Sequence, residues 1–203
     1  TNSYPGSGTV WTDLQSSYNG TLHQGATIGV GPVFSTDGGG SLVLDGDDWV
    51  EVDSLSSFFH TSTSFTLQIW AKVSAWQGGE NGGTLFSLHD ASGGNKLRWA
   101  IGTSNMMTFD FASTSVAHGL ELNVWTLFTY VYDYSGGTIE LYTDDTHVKT
   151  MGRGPSSGYW DPVAKASIGQ EWDGGNRGDY FMGSIGRFVV YDRAPSASEV
   201  ADK

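Results

Sequence analysis

Two Glu-x-Asp pairs are the residues of this sequence best suited to acid–base chemistry. Glu51 and Asp53 are separated by one residue, and Glu171 and Asp173 repeat that spacing. Residues i and i+2 of a strand point to the same face, and a retaining glycosidase needs two carboxyl groups about 5–5.5 Å apart. The alternative is a solvent-facing strand residue followed by a strand end, and we favour it strongly for Glu51 and Asp53.

Other catalytic motifs do not occur in the sequence. It contains no G-x-S-x-G, no H-E-x-x-H and no phosphate-binding loop. We therefore predict that the chain is not an enzyme, and a glycoside-acting enzyme stays as the third of three functional hypotheses.

Three carboxylates within four residues form a candidate metal site. Asp45, Asp47 and Asp48 lie between two strand-like runs, and Ca²⁺ prefers six to eight oxygen ligands, many of them carboxylates. The alternative is that each Asp caps its own turn, and no D-x-D-x-D-G loop is complete. The sequence leaves both interpretations open, with Ca²⁺ as the cofactor considered.

Tryptophans in predicted loops are candidates for sugar binding. Trp76, Trp160 and Trp172 lie beside Gly, Asp and Asn residues, and such rings can pack under the C–H faces of a sugar while polar neighbours bind its hydroxyls. The alternative is that a loop Trp belongs to the core. The predicted ligand-binding residues are Trp76, Trp160, Trp172, Asp173, Asn176 and Asp179.

The segment that contains three of these residues also contains Arg177-Gly178-Asp179, the tripeptide that integrins bind. The same residues are ordinary turn material, and the tripeptide arises by chance. We regard integrin binding as a minor option and a hairpin turn as the better interpretation of residues 173–179.

Composition restricts the class of partner. The 203 residues include 22 acidic and 10 basic side chains, so the net charge is −12. A field of this sign repels phosphate backbones, which argues against nucleic-acid partners. The absence of cysteine excludes disulfides. The sequence contains no run of 18 apolar residues, so no membrane-spanning helix is predicted.

Alternating patterns dominate the chain and predict strands. Residues 64–73 place Phe65, Leu67, Ile69 and their period-2 neighbours on one face. Glycine-rich turns separate this run from the others. The other predicted strands are residues 41–46, 48–53, 83–89, 96–102, 106–112, 124–133, 137–143 and 187–192. This spacing predicts an all-β, antiparallel sandwich or jelly roll.

One helix is predicted, at the C-terminal end. Pro195 precedes Ser196, and Glu199 follows three residues later, which forms a capping box for about two turns. No linker or change of composition divides the sequence. We therefore predict that residues 1–203 form one domain.

Several segments, in order, resemble the laminin-G-like, concanavalin A-like jelly-roll superfamily, in the short form found on bacterial surface proteins and phage structural proteins. The N-terminal SYPGSGTVWTDL and YNGTL are similar to the opening of that family, and GGSLVLDGDDWVEV to its first hairpin. NVWTLFTYVYD, GTIELYTDD and YFMGSIGRFVVYDRAPSASEV are similar to later strands. The resemblance implies a concanavalin A-like β-sandwich, and such scaffolds carry many functions.

The departures from the family pattern also have implications. The jelly-roll glycosidases carry E-x-D-x-x-E, whereas Ser56 and Asn176 occupy the last position here. The family usually has a strand before the opening segment, and the chain starts at Thr1, so residues 187–192 are expected at an open sheet edge or beside a segment outside this sequence. Many members have Asp where this chain has Gly186.

These observations together predict a non-catalytic recognition or adhesion module on a virion or cell surface, directed at a glycan or surface polysaccharide. The alternative is a purely structural protein that decorates or assembles a phage capsid, tail or filament. Its partners would then be other copies of the chain or other virion and surface proteins, bound through the open sheet edge. The predicted location is extracellular or on the virion.

Overall fold

The computed structural model describes residues 7–15, 17–25, 31–61, 63–77, 82–102, 106–109, 114–117, 119–152, 160, 163–173, 175–196 and 199–200. The strands are β1 (Val10–Trp11), β2 (Gly20–His23), β3 (Val33–Ser35), β4 (Ser41–Asp45), β5 (Trp49–Glu51), β6 (Phe65–Val73), β7 (Gly83–Asp90), β8 (Asn95–Ile101), β9 (Met106–Phe109), β10 (Thr114–Ala117), β11 (Trp125–Asp133), β12 (Thr138–Thr143), β13 (Thr146–Gly152), β14 (Val163–Ile168), β15 (Glu171–Asp173), β16 (Asn176–Gly178) and β17 (Met182–Tyr191). Helix α1 spans Ser56–Thr61, and two 3-10 turns span Asp37–Gly39 and Asp53–Leu55.

The strands form two large antiparallel sheets and one small hairpin. Sheet A has the order β1-β2-β5-β14-β7-β8-β9-β10, and sheet B has the order β13-β12-β11-β6-β17-β4-β3. The hairpin consists of β15 and β16. The predicted all-β antiparallel sandwich is confirmed.

Period-2 patterning places the core between the two sheets. In β6, the side chains of Phe65, Leu67, Ile69, Ala71 and Val73 are all buried and belong to one apolar cluster. Strand β11 pairs with β6 on one side and with β12 on the other. Both of its faces are apolar because Phe128, Tyr130 and Tyr132 belong to the core, while Val131, on the opposite face, packs in a second buried cluster with Tyr142 and Val200.

The predicted strands agree with the structure over most of their length. Strand β5 is shorter than its predicted span, and the predicted strand at 106–112 is described only over Met106–Phe109. Strand β14 was not predicted. It lies at the centre of sheet A between β5 and β7, and the short alternation of its small residues carries little apolar signal.

The helices differ from the prediction in one respect. The capping box is present, because Ser196 N–H donates to Glu199 Oε2 at 2.8 Å and Glu199 N–H donates to Ser196 Oγ at 3.4 Å. Residues 197 and 198 of the predicted C-terminal helix lie outside the described residues. The described helix α1, which follows β5, was not predicted.

Strand β17 is only half covered on one side. It pairs with β6 along most of its length, but with β4 only from Met182 to Ile185. Within the described part of the chain, Arg187–Val190 pair with β6 alone. A cavity of about 620 Å³ borders this stretch and is lined by apolar side chains that include Phe34, Leu55 and Phe58. Of the edge expected to be open at residues 187–192, these four residues have no second partner strand among the described residues.

Candidate functional site

The hairpin β15–β16 packs on the outer face of sheet A. In β8, Leu97 and Trp99 belong to the core, so Arg98 between them points to the opposite face. Arg98 there meets the hairpin residue Glu171. A layer of polar side chains is thereby buried between the sheet and the hairpin.

An ion triad of buried Arg98 and Glu171 with half-buried Asp179 attaches the hairpin at one end. The Nε of Arg98 lies 2.8 Å from Glu171 Oε2, and its Nη2 lies 2.8 Å from Asp179 Oδ2. The side chain of Arg98 is only 4% exposed, and Asn95 Nδ2 donates to Glu171 Oε2 at 3.4 Å. The carboxylate of Glu171 is therefore a structural partner of a guanidinium.

A buried histidine fastens the middle of the hairpin. The N–H of Trp172 donates to His89 Nε2 at 3.0 Å, which requires an imidazole whose Nε2 carries no proton. Burial lowers the pKa of His89 to about 4, although Asp90 opposes that shift. Beside it, Ser87 Oγ donates to the carbonyl of Gln170 at 2.7 Å. The neutral imidazole is thus part of the hairpin's attachment.

Two cations contact tryptophan rings at the outer side of the hairpin. The Cζ of Arg177 lies 4.5 Å from the ring centroids of both Trp49 and Trp172. The Nζ of Lys165, on β14, lies 3.5 Å from the centroid of Trp172. Such contacts favour a fixed position for a guanidinium or ammonium group. We call the group Trp49, Lys165, Trp172 and Arg177 the tryptophan–cation surface.

Polar side chains border this surface on the side of β2 and β5. The ring of His23 stacks on Trp49 with a centroid distance of 4.8 Å, and its Nε2 lies 3.6 Å from Glu51 Oε2. The ring of Tyr180 lies 6.1 Å from that of Trp49, and burial raises the pKa of its phenol. Hydrogen-bond donors and acceptors therefore lie around the ring of Trp49.

The predicted metal residues form a compact cluster at the turn between β4 and β5. Asp45, Asp47 and Asp48 offer oxygens that all lie within 4.8 Å of one another. Asp48 is fully buried. Burial, followed by the negative charge of Asp45, raises the pKa of Asp48 to about 7. This acidic triad of Asp45, Asp47 and Asp48 could hold a metal ion.

The donor set of the triad fits a hard cation. All three ligands are carboxylates, and oxygen donors suit Ca²⁺ or Mg²⁺. The Oδ1 of Asp48 is buried and accepts no hydrogen bond from the described residues. A Cβ at Gly25 would lie 2.2 Å from Asp47 Cγ, so the chain passes close to the cluster at a glycine.

The predicted ligand-binding residues lie in different surroundings. Trp172, Asn176 and Asp179 lie on or next to the hairpin, where Asn176 is exposed and Trp172 is 8% exposed. The backbone of Asp173 pairs with Asn176, and its side chain lies outside the described residues. Trp76 is half-buried against the core.

Trp160 lies within the core. It is 4% exposed, and its ring centroid lies 5.3 Å from that of Phe65 and 5.7 Å from that of Tyr132. These contacts with interior rings place it apart from the hairpin. In this arrangement its faces pack against protein.

The tripeptide Arg177-Gly178-Asp179 has both charged side chains engaged. Arg177 contacts two tryptophan rings, and Asp179 is bonded to Arg98. The backbone φ of Asp179 is 46°, an uncommon value for a residue with a side chain. These contacts give the tripeptide a role in seating the hairpin.

Several residues of the site were not identified from the sequence. Trp49 is not among the predicted ligand-binding residues, and the sequence predicts no role for His23, Arg98 or Lys165. Arg98 alone had a local signal, because it is a charged residue at an outward position between two apolar residues of one strand. The others depend on contacts between distant segments.

The fold and the site together define a class of protein: a two-sheet antiparallel β-sandwich with a polar, aromatic surface beside an acidic turn. Residues 44–201 match the laminin-G-type family Laminin_G_3, described as the concanavalin A-like lectin/glucanases superfamily. The match covers more than half of the chain, so the protein belongs to this family.

Solved structures with the same fold include glycan-binding domains. Domain 4 of AbnA, a GH43 extracellular arabinanase from Geobacillus stearothermophilus, solved in complex with arabinotriose, has a TM-score of 0.72 at 15% identity and covers 94% of this chain and 91% of its own. The CBM40 of the Ruminococcus gnavus IT-sialidase has a TM-score of 0.64 at 14% identity and covers 79% of this chain and 94% of its own. These identities establish similarity of fold.

A larger enzyme contains the same fold as a part. Trypanosoma rangeli sialidase has a TM-score of 0.64 at 14% identity, and the match covers 98% of this chain and 31% of the sialidase. A comparison with curated proteins finds no match. The described part of this chain has no helix long and apolar enough to cross a membrane.

Proposed function

We propose that this protein is a non-catalytic glycan-binding module and that the tryptophan–cation surface is its binding site. The observation that carries this proposal is the grouping of two tryptophans, two cations and the polar side chains of His23 and Glu51 on one outer face. The family and the fold of the carbohydrate-binding domains support it.

The burial of the rings determines how a sugar would be held. Trp49 and Trp172 are nearly buried, and cations cover them, so the groups offered to a ligand are mainly hydrogen-bonding groups. Arg177 and Asn176 are exposed, and Lys165 is half-buried. Sugar hydroxyls would bind these donors and the carboxylate of Glu51, while the rings hold the donors in place.

The same geometry favours binding over catalysis. The carboxylate of Glu171 is neutralised by Arg98, which removes it as a free acid or nucleophile. Asp53 accepts a hydrogen bond from Ala166 N–H at 3.0 Å. Burial raises its pKa, so a weak glycosidase built on Glu51 and Asp53 is the competing enzyme hypothesis. Release of reducing sugar that disappears in Glu51→Gln would establish it.

A glycan array tests the proposed binding function. We expect hits that are lost in Arg177→Ala and weakened in Glu51→Gln, with unchanged binding by Lys149→Ala, an exposed residue of β13 on sheet B. A protein that binds no glycan of any class would contradict the proposal.

We further propose that the module acts outside the cell or on a virion, where many copies are presented together. A single small site binds weakly, and repetition on one surface raises the effective affinity. The measurement is the distribution of the protein between purified particles or cell envelopes and the remaining cell fraction. A protein confined to the cytosol would contradict this location.

We propose Ca²⁺ as the ion for Asp45, Asp47 and Asp48. The cluster leads directly into Trp49, so an ion there would fix the start of β5 and with it one ring of the binding surface. In the free protein, burial and mutual repulsion raise the pKa of Asp48, and a divalent cation would replace the proton. The ion would thus stabilise the folded state.

A thermal-shift measurement tests the calcium proposal. Addition of Ca²⁺ in excess to EDTA-treated protein should raise the Tm because the ion binds the folded state. Asp48→Asn should abolish this response, while Asp145→Asn, at an exposed turn of sheet B, should retain it. An equal Tm with and without Ca²⁺ would exclude a calcium site.

A second function, assembly through a sheet edge, is favoured by β17. Arg187–Val190 lack a partner strand beyond β6 among the described residues, and the adjoining cavity of about 620 Å³ is largely apolar. Open edges of this kind accept a further strand. Under this hypothesis a strand with alternating apolar side chains, from another copy or another surface protein, would extend sheet B.

Hydrogen–deuterium exchange distinguishes the assembly function. A partner strand should protect amides of residues 187–190 in the assembled state, whereas the amides of β12 should be unaffected. Assembled material with unchanged exchange at β17 would rule out this edge as the contact.

A further inference from the structure

The described cations of this acidic chain differ in their partners. Lys72, Lys96, Arg98 and Arg193 each form an ion pair with a carboxylate. Lys165 and Arg177 have no carboxylate within 4.0 Å among the described residues, although acids outnumber bases by 22 to 10 in the whole chain. These two cations contact the same ring, that of Trp172.

Other unpaired cations do not form such a pair. Lys149 and Arg187 are exposed and have no ion-pair partner in the described part of the chain, but they lie on β13 and β17 of sheet B. Each is a single charge without a tryptophan contact. The juxtaposition of two unneutralised cations is thus a feature of the tryptophan–cation surface.

The nearby acids already have other contacts. Glu51 lies 3.6 Å from His23, and Asp53 accepts a hydrogen bond from the backbone of β14. Lys165 and Arg177 both act to lower the pKa of Asp53 against the effect of its burial. No carboxylate among the described side chains therefore cancels their fields by a direct contact.

The contacts with Trp49 and Trp172 also hold the guanidinium of Arg177 in a position that suits an anion. A guanidinium that stacks on aromatic rings keeps its N–H groups directed outward in the plane of the group, and these groups match the two oxygens of a carboxylate or sulfate. Arg177 is exposed, so its N–H groups are accessible. Lys165 adds a second positive charge on the same ring.

We infer that the ligand of this surface is an anionic glycan, whose carboxylate or sulfate group is bound by Arg177 and Lys165. The inference rests on the proposed glycan-binding function and specifies its substrate class. A neutral sugar would leave both cations without a counter-charge. An acidic sugar would supply the missing charge, and its hydroxyls would contact Glu51 and Asn176.

The experiment uses one oligosaccharide in three forms with the wild-type protein. Binding of an oligouronide is measured by calorimetry and compared with its carboxyl-reduced form and with a sulfated derivative of the reduced form. We expect the oligouronide or the sulfated form to bind at least about tenfold more tightly than the neutral form, since a charge-assisted hydrogen bond contributes roughly that factor. The preferred anion identifies the carboxylate or the sulfate as the recognised group.

Variants assign the effect to the two cations. Arg177→Gln and Lys165→Gln should each reduce affinity for the anionic form by about tenfold or more. Affinity for the neutral form should fall by a smaller factor, because that form loses only hydrogen bonds to its hydroxyls. Lys149→Gln and Arg187→Gln are the matched controls and should bind as the wild type does. The Tm of each variant, compared with that of the wild type, shows whether the hairpin remains packed on sheet A.

The outcomes separate this inference from the function on which it rests. Equal binding of neutral and anionic forms would overturn the inference and leave glycan binding intact. Absence of binding to every form, and to a broad glycan array, would overturn both. Because the ligand series is measured on the wild-type protein, the result does not depend on the folding of a variant.

Discussion

At the scale of single residues, Arg98 holds together segments that are far apart in sequence. It lies on β8 and bonds to Glu171 and Asp179, at the two ends of the hairpin segment. A buried charge of this kind is tolerated because its partners neutralise it. Removing it would leave Glu171 buried without its cation.

We predict that Arg98→Met lowers the free energy of unfolding by about 3–5 kcal/mol, the usual cost of breaking a buried ion pair. Urea denaturation monitored by tryptophan fluorescence measures it. Arg193→Met is the matched control: its pair with Glu199 is 53% and 48% exposed, so a loss below about 1 kcal/mol is expected. Equal losses in both variants would contradict a special role for the buried triad.

Asp48 gives a second prediction at this scale, on pH dependence. Burial and Asp45 raise its pKa to about 7 from the ordinary 3.8, so the folded state holds this proton more tightly than the unfolded state. Its contribution to stability is therefore fully present below about pH 4 and is lost as the pH rises to about 7. The largest possible effect is about 4 kcal/mol.

In the presence of EDTA, Asp48→Asn should consequently be more stable than the wild type above about pH 7, and this advantage should disappear near pH 4. Denaturant midpoints measured across this pH range provide the comparison. Asp145→Asn, at an exposed position, should follow the wild type throughout. A pH-independent difference between Asp48→Asn and the wild type would show that the pKa of Asp48 is not raised.

At the scale of elements, the hairpin β15–β16 depends on a glycine that precedes it. Gly169 has φ +88°, and a Cβ there would lie 2.6 Å from Leu44 Cδ1. Its N–H donates to the carbonyl of Leu85, and its own carbonyl accepts from Phe181 N–H. The chain therefore turns from β14 into the hairpin at a position that is both conformationally restricted and closely packed.

We predict that Gly169→Ala destabilises the protein more than Gly175→Ala does. Gly175 has φ +92°, but a Cβ added there would meet no atom within 4 Å, so its replacement carries only the backbone cost of about 1–2 kcal/mol. Gly169→Ala adds the clash with Leu44. Thermal unfolding of the two variants tests the difference, and equal Tm values would contradict the close packing.

At the scale of the whole molecule, charge opposes compactness. The net charge of −12 at neutral pH corresponds to a sequence pI of about 4.5. Like charges on one surface repel, and salt screens that repulsion over a Debye length of about 10 Å at 0.1 M.

We predict that raising NaCl from about 10 to about 200 mM at pH 8 increases the Tm by a few degrees. Near pH 4.5, where the net charge vanishes, the same addition should have little effect or the opposite sign. Differential scanning calorimetry at both pH values makes the comparison. A Tm at pH 8 that is independent of salt would show that local pairs outweigh the net charge.

The sequence predicts the features that depend on residues close together in the chain, and it does not predict those that depend on pairing between distant segments. Strands such as β6 and β12 are predicted because alternation over six or more residues specifies a buried face. Strand β14 is not predicted, because its position in the centre of sheet A is determined by pairing with β5 and β7 and not by its own alternation. The acidic triad is predicted because its members lie within four residues.

By itself the sequence determines the fold class, the alternating strands that make the core and the acidic turn at residues 45–48, since each depends on neighbours in the chain. Only the tertiary structure decides that Trp49, Lys165 and Arg177 meet on one surface. It also decides that the ring of Trp172 contacts two cations, whereas Trp160 is part of the core. These contacts join segments more than 100 residues apart in places, and a side chain's surroundings at that range are determined by sheet order and by the seating of the hairpin.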